Sequence, residues 1–160
     1  MVAERMAAAD VVVMPVAASL SWTRARSEAT RAGARVASMP SITEAVVLRT
    51  FGIDYGPVKE RANRLCDLLD AGGEVRICSA AGTELVLSIA GRTAHGRKGG
   101  IYRQPGEWGN LPCGEAFVAP VEGTAQGVYV VDASHGGVGK LTSPMKLSVR
   151  DGRVVEIEGG

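Results

Sequence analysis

Apolar residues fall in short continuous runs in the first third of the chain and in alternating runs in the last third, and the two patterns predict different architectures. Asp10-Val-Val-Val-Met-Pro is a β-branched stretch closed by proline, which predicts a strand buried on both faces. A helix should follow over Thr23 to Ala32, capped by Ser19 or Ser21 and stopped at Gly33. Ala34-Arg-Val-Ala-Ser-Met predicts a second strand, and Ser41-Ile-Thr-Glu44 matches a capping box that opens another helix, yielding near Gly52. A longer helix is predicted from about Tyr55 to Leu69, with Val58, Ala62, Leu65 and Leu69 at helical spacing and Ala-Gly-Gly as its stop.

From Gly73 the period changes. Glu74-Val-Arg-Ile-Cys, Glu84-Leu-Val-Leu-Ser-Ile, Gly127-Val-Tyr-Val-Val-Asp, Met145-Lys-Leu-Ser-Val-Arg and Arg153-Val-Val-Glu-Ile are strand-length, separated by Gly-rich turns. Asp151-Gly152 is a strong hairpin signal, because both central residues of such a turn take positive φ. The fold class expected is therefore α/β: residues 1–72 as strand-helix-strand-helix-helix, then a mostly antiparallel β-rich half over 73–160 that contains a turn at Glu115.

Composition narrows the function classes. Of 160 residues, 46% are hydrophobic and 22% charged, which is globular usage, and 18 basic against 17 acidic side chains leave no basic stripe for nucleic acid. The run Val11 to Ala18 contains Pro15 and falls short of the ~20 residues a membrane span needs, so no membrane role is expected. Cys66, Cys78 and Cys113 are odd in number and lack CxxC spacing, which points to a reducing compartment, the cytoplasm, rather than to a disulfide framework.

Candidate chemistry is sparse. His95 and His135 both lie beside glycine in expected loops, where a histidine is usually a solvated turn residue, and no HExxH occurs. Ser134 next to His135 has no nucleophile elbow around it. Gly136-Gly-Val-Gly-Lys140 lacks the first glycine of a P-loop and carries Leu141 where the magnesium-binding hydroxyl belongs. Cys113 follows a proline and has no identified base, so packing is its ordinary role. Glu115 is the most informative carboxylate. It sits in Gly-Asn-Leu-Pro-Cys-Gly-Glu-Ala-Phe-Val-Ala-Pro, residues 109–120, where Gly109, Pro112 and Gly114 can fix its direction. Two readings stand for it: a preorganised metal ligand or general base, or a solvated glutamate at the mouth of a strand over Ala116 to Ala119.

That segment, followed by Gly123-Thr-Ala-Gln-Gly127, resembles a turn of the aminopeptidase T-like thermophilic metallopeptidase family and of its relative, 2,5-dihydroxypyridine 5,6-dioxygenase. Ala9 to Pro15, Ser19 to Arg26, Gly33 to Pro40 and Gly82 to Arg92 look like the same family's middle region, so the resemblance covers nearly the whole chain but only part of the family's length. It implies that Glu115 is a metal ligand in a leucyl aminopeptidase-type hydrolase with a divalent cofactor of zinc or cobalt type acting on a peptide or small-molecule substrate. A late His-x-Asp pair that the family would supply is absent, so the resemblance implies a partial or shortened member whose metal is incomplete or lost. The alternatives are an iron(II) ring-cleaving dioxygenase-like protein acting on hydroxylated aromatics, and a non-catalytic binding or assembly module. Free strand edges near 145 to 157 further predict a homo-oligomer. No catalytic or substrate-binding residue is assigned at this level.

Overall fold

The structure, a computed structural model, describes residues 2–160. In chain order its elements are α1 (Val2–Ala7), β1 (Val11–Met14), α2 (Arg24–Arg31), β2 (Arg35–Ser38), α3 (Glu44–Thr50), α4 (Tyr55–Ala71), β3 (Glu74–Cys78), β4 (Glu84–Ser88), β5 (Trp108–Asn110), β6 (Gln126–Val131), β7 (Ser134–His135), β8 (Gly139–Lys140), β9 (Met145–Arg150) and β10 (Arg153–Gly159). The fold is the mixed α/β class expected, helices in the first half and antiparallel strands in the second. The chain forms two compact units: the residues through Leu65 together with Gly96–Ala116, and Cys66–His95 together with Phe117–Gly160. The Glu115 turn thus belongs to the first unit.

In the first unit β1, β2 and β5 form a parallel sheet in that order, with Val12 opposite Val36 and Val36 opposite Trp108. Helix α2 starts where the Thr23 hydroxyl accepts from the Arg26 N–H and ends at Gly33, whose φ of 106° only glycine takes without strain. Its small Ala29 reaches the core beside Met6, Met14, Ala34 and Val36, with Val16, Leu20 and Trp108 half-buried around them. In α4, Pro57 stands in the first turn, where a missing N–H costs nothing, and Asp54 accepts from the Gly56 N–H at 2.8 Å.

Several local expectations shift. Thr23 replaces Ser19 or Ser21 as the cap of α2, because the Ser21 hydroxyl is drawn inward to donate to Ser38 at 2.8 Å. Thr43 caps α3, and Ser41 instead takes a left-handed φ of 54° while its hydroxyl donates to the Ala17 carbonyl at 2.9 Å. Strand β1 is not covered on both faces: it lies at the sheet edge, and Val11 and Val13 are exposed. The strand expected over Ala116 to Ala119 is reduced to a single bridge between His95 and Phe117.

The second unit is built on an antiparallel sheet of order β10-β9-β6-β4-β3. Its register aligns Ile77, Leu85, Gly127, Val149 and Val154 in one row and Tyr129, Leu147 and Ile157 in another, so one face is apolar, while Arg76, Val86 and Gln126 alternate onto the other. Asp151 and Gly152 join β9 to β10 with φ of 49° and 71°, the two positive values the pair was expected to take. Among the described residues, no helix is long and apolar enough to cross a membrane.

Candidate functional site

In an open parallel sheet, ligands bind outside the carboxyl ends of the strands. Each strand of the first unit's sheet runs out there into a proline within two residues: Pro15 after β1, Pro40 after β2 and Pro112 after β5. The loops are tied together. Met39 donates its N–H to the Met14 carbonyl at 3.1 Å, Ser41 to Val16 at 2.8 Å, and Leu111 to Ser38 at 2.9 Å. Below them a hydroxyl chain runs from Ser19 to Ser21 to the fully buried Ser38. The turn that carries Glu115 leaves the sheet at this edge, after the cis Leu111–Pro112 bond.

Glycine explains how that turn is held. A Cβ on Gly109 would overlap the Tyr102 hydroxyl, which donates to the Asn110 carbonyl at 2.8 Å. One on Gly96 would overlap the Glu115 carbonyl oxygen, and one on Gly114 would stand 2.9 Å from Val58 Cγ1 on α4. The backbone either side of Glu115 is therefore clamped by close approaches that no other residue permits. Its carboxylate is not: Glu115 is exposed, and no hydrogen bond or ion pair holds that group among the described residues.

Two tyrosines that the sequence reading did not single out flank this turn. Tyr55, at the start of α4, donates to the Thr50 carbonyl at 3.2 Å, and its ring lies so close to Gly100 that a Cβ there would stand 2.7 Å from it. Burial, and then the neighbouring Cys113, raise both phenols above their ordinary range, Tyr102 much the further. Both stay protonated donors at neutral pH. Cys113 thus lies half-buried next to both phenols. The available signal was compositional: these are two of only three tyrosines in the chain, one of them beside Gly99-Gly100.

Glu107, at the head of β5, pairs with Lys98 and accepts from the N–H groups of Arg103 and Gln104 at 2.7 and 3.0 Å. The Lys98 contact first, then the Gln104 N–H, lower its pKa to about 2. Arg26 is another feature unmarked in the sequence. Only 8% exposed, its guanidinium lies 3.9 Å over the Trp108 ring, and burial lowers its pKa.

The two histidines fall in the second unit and stay exposed. His95 exchanges backbone hydrogen bonds with Phe117, its ring 5.4 Å from the phenyl ring, and its carbonyl accepts from the buried Cys66 thiol at 3.2 Å. His135 lies on the short ribbon of β7 and β8, opposite Gly139. No group of three or more His, Cys, Asp or Glu side chains able to hold a metal ion exists among the described residues.

Comparison with known proteins supplies the ancestry. A family model described as 2,5-dihydroxypyridine 5,6-dioxygenase (NicX) matches residues 1–160. The structure of 2,5-dihydroxypyridine dioxygenase from Pseudomonas putida KT2440 superposes with a TM-score of 0.72 at 21% identity, over 99% of this chain and 45% of that one. The chain thus spans less than half the length of that solved relative. No curated protein matches. The match of the whole chain to the dioxygenase family model overturns the aminopeptidase-like reading, with its hydrolase and metallopeptidase chemistry. The zinc- or cobalt-type cofactor rested on that reading and goes with it. Matched from its first residue to its last, the chain belongs to the 2,5-dihydroxypyridine 5,6-dioxygenase family.

Proposed function

We propose that this chain is part of an iron(II)-dependent dioxygenase that opens a hydroxylated pyridine or related aromatic ring. The family match over residues 1–160 carries this reading. Within it, Glu115 is the one residue here assigned to the metal: its carboxylate has no internal partner, and its backbone is fixed by Gly96 and Gly114. A single carboxylate does not hold iron, and the other donors must come from outside these residues. Tyr55 and Tyr102 serve the turn as protonated struts against the Thr50 and Asn110 carbonyls.

The same reading includes self-association. Val154, Val155 and Ile157 on the edge strand β10 are all more than half exposed, an apolar strip of the kind that copies cover by pairing. A strictly monomeric species in light scattering at high concentration would refute that part.

The test is oxygen uptake and iron content with 2,5-dihydroxypyridine, on this chain and on a chain extended to the length of the solved relative. The extended protein should bind iron and consume oxygen, the 160-residue chain should do neither, and Glu115→Ala should strip iron from the extended protein without unfolding it. Unchanged iron stoichiometry in Glu115→Ala rejects the ligand role. An iron-loaded extended protein inert toward every hydroxylated pyridine rejects the activity.

A further inference from the structure

A cleft of about 540 Å³ opens at the start of α2, lined by Trp22, Thr23, Arg24, Arg26, Ser27, Glu28 and Arg31. Its charge is unbalanced. Arg24 is neutralised by Glu28, bonded to it at 2.6 Å one turn on. Arg26 has no carboxylate: Nε donates to the Ser21 carbonyl at 2.6 Å, Nη1 to the Thr30 hydroxyl at 3.3 Å, and Nη2 makes no hydrogen bond among the described residues. Arg26 is only 8% exposed and lines the cleft, and Nη2, with no hydrogen bond inside the described residues, is the part of its guanidinium left free to take a partner there. A buried cation normally carries an anionic partner, and here the fold supplies only a carbonyl, a hydroxyl and an indole face.

Two further features converge on the same place. The first turn of α2 contains no acidic residue, and the Thr23 hydroxyl takes only the Arg26 N–H, so the N–H groups of Arg24 and Ala25 point from the positive end of the helix with no acceptor inside it. Beside it Trp22 is 87% exposed, its ring plane set by a T-shaped contact with Trp108 at 5.6 Å and 86°. An indole left in solvent beside a guanidinium offers a flat ring a surface to stack on.

We infer that this cleft binds a carboxylate carried on a planar ring, the carboxylate taken by Arg26 Nη2 and the first turn of α2, the ring laid on Trp22. A guanidinium fork suits a planar carboxylate, and Arg31, which also lines the cleft and has no ion pair among the described residues, adds attraction. The inference does not depend on the dioxygenase reading, since it is tested by binding to the 160-residue chain alone.

The chain has two tryptophans, both beside the cleft, so their emission reports occupancy directly. Benzoate should change that emission saturably and more weakly as salt rises, at least tenfold tighter than acetate, phosphate or the neutral benzamide. Trp22→Ala should reduce benzoate to the affinity of acetate, read by calorimetry. Arg31→Gln should weaken benzoate severalfold, and Arg26→Lys about tenfold although it keeps the charge. Benzamide or phosphate binding as well as benzoate overturns the assignment. So does wild-type affinity in a folded Arg26→Lys. Should that variant not fold, Trp22→Ala and Arg31→Gln decide, because both side chains are exposed, and unchanged affinity in the two overturns it equally.

Discussion

The two units are stabilised by different means. In the first, a parallel sheet is covered by α2, and the buried apolar groups are small or flexible: Met6, Met14, Ala29, Ala34, Val36, Ala37, Met39. Its stability comes from close approach. In the second, few apolar side chains are buried, chiefly Cys66, Leu85, Ile89 and Ala94, whereas Ile77, Tyr129, Val154 and Ile157 remain substantially exposed on the apolar face. There the hydrogen-bonded ladder carries more of the load, helped by Thr83, which is 2% exposed and bonds both the N–H and the carbonyl of Val130. A unit assembled by close contact is sensitive to added volume, and a unit assembled by a ladder is sensitive to anything that parts two strands.

The largest expected effect tests the ladder. Gly127→Ala puts a Cβ into the Glu84 carbonyl across β4 and β6, at a φ of 123° that alanine resists, and should cost about 3 kcal/mol in denaturant unfolding. A loss below ~1 kcal/mol would mean β4 and β6 are free to separate. Next, Thr83→Val leaves two backbone groups of Val130 without their hydroxyl partner and should cost about 2 kcal/mol. In the first unit, Tyr102→Phe keeps the ring and loses the hydroxyl that bonds the Asn110 carbonyl and faces Cys113, for about 1 kcal/mol, since that exposed carbonyl regains water. A larger loss than for Thr83→Val would reverse the contrast drawn here.

The smallest effect is one of pH. Glu107 has its pKa lowered from 4.5 to about 2 in the fold, so the stability drawn from Lys98 and the two N–H groups is complete above about 4.5 and is lost as pH falls toward about 2. Glu107→Gln, which does not titrate, should flatten the acid limb of the stability curve across that window, and an unchanged slope would show that the Lys98 contact is not maintained in solution.

Much of this was legible in sequence because it was local. The alternation in residues 74 to 78 and 145 to 157, the Asp151-Gly152 turn, and the Gly33 stop each follow from a period or a φ requirement within a few residues. What was illegible depends on distant partners. Ser41-Ile-Thr-Glu44 satisfied the capping pattern, yet the bond from Ser41 to Ala17 turns its backbone out of the cap. Strand β5 is too short to show a period, and exists because it pairs with β2, Val36 donating to the Glu107 carbonyl and the Ser38 carbonyl accepting from Leu111. At the site, the glycines around Glu115 mark close approaches of the backbone, but the sequence did not show that Tyr102 fills the space left by Gly109. The role of Arg26 could not be read at all, since its ring partner lies far along the chain at Trp108.

Glu115 joins a closely packed main chain to a side chain with no hydrogen bond or ion pair among the described residues. Docking a ligand on such a group freezes a few bond rotations, at most about 2 kcal/mol, and spares the larger entropy loss of ordering a whole loop. In the proposed metal role, the residue would act as a short arm on a fixed post, set before its guest arrives.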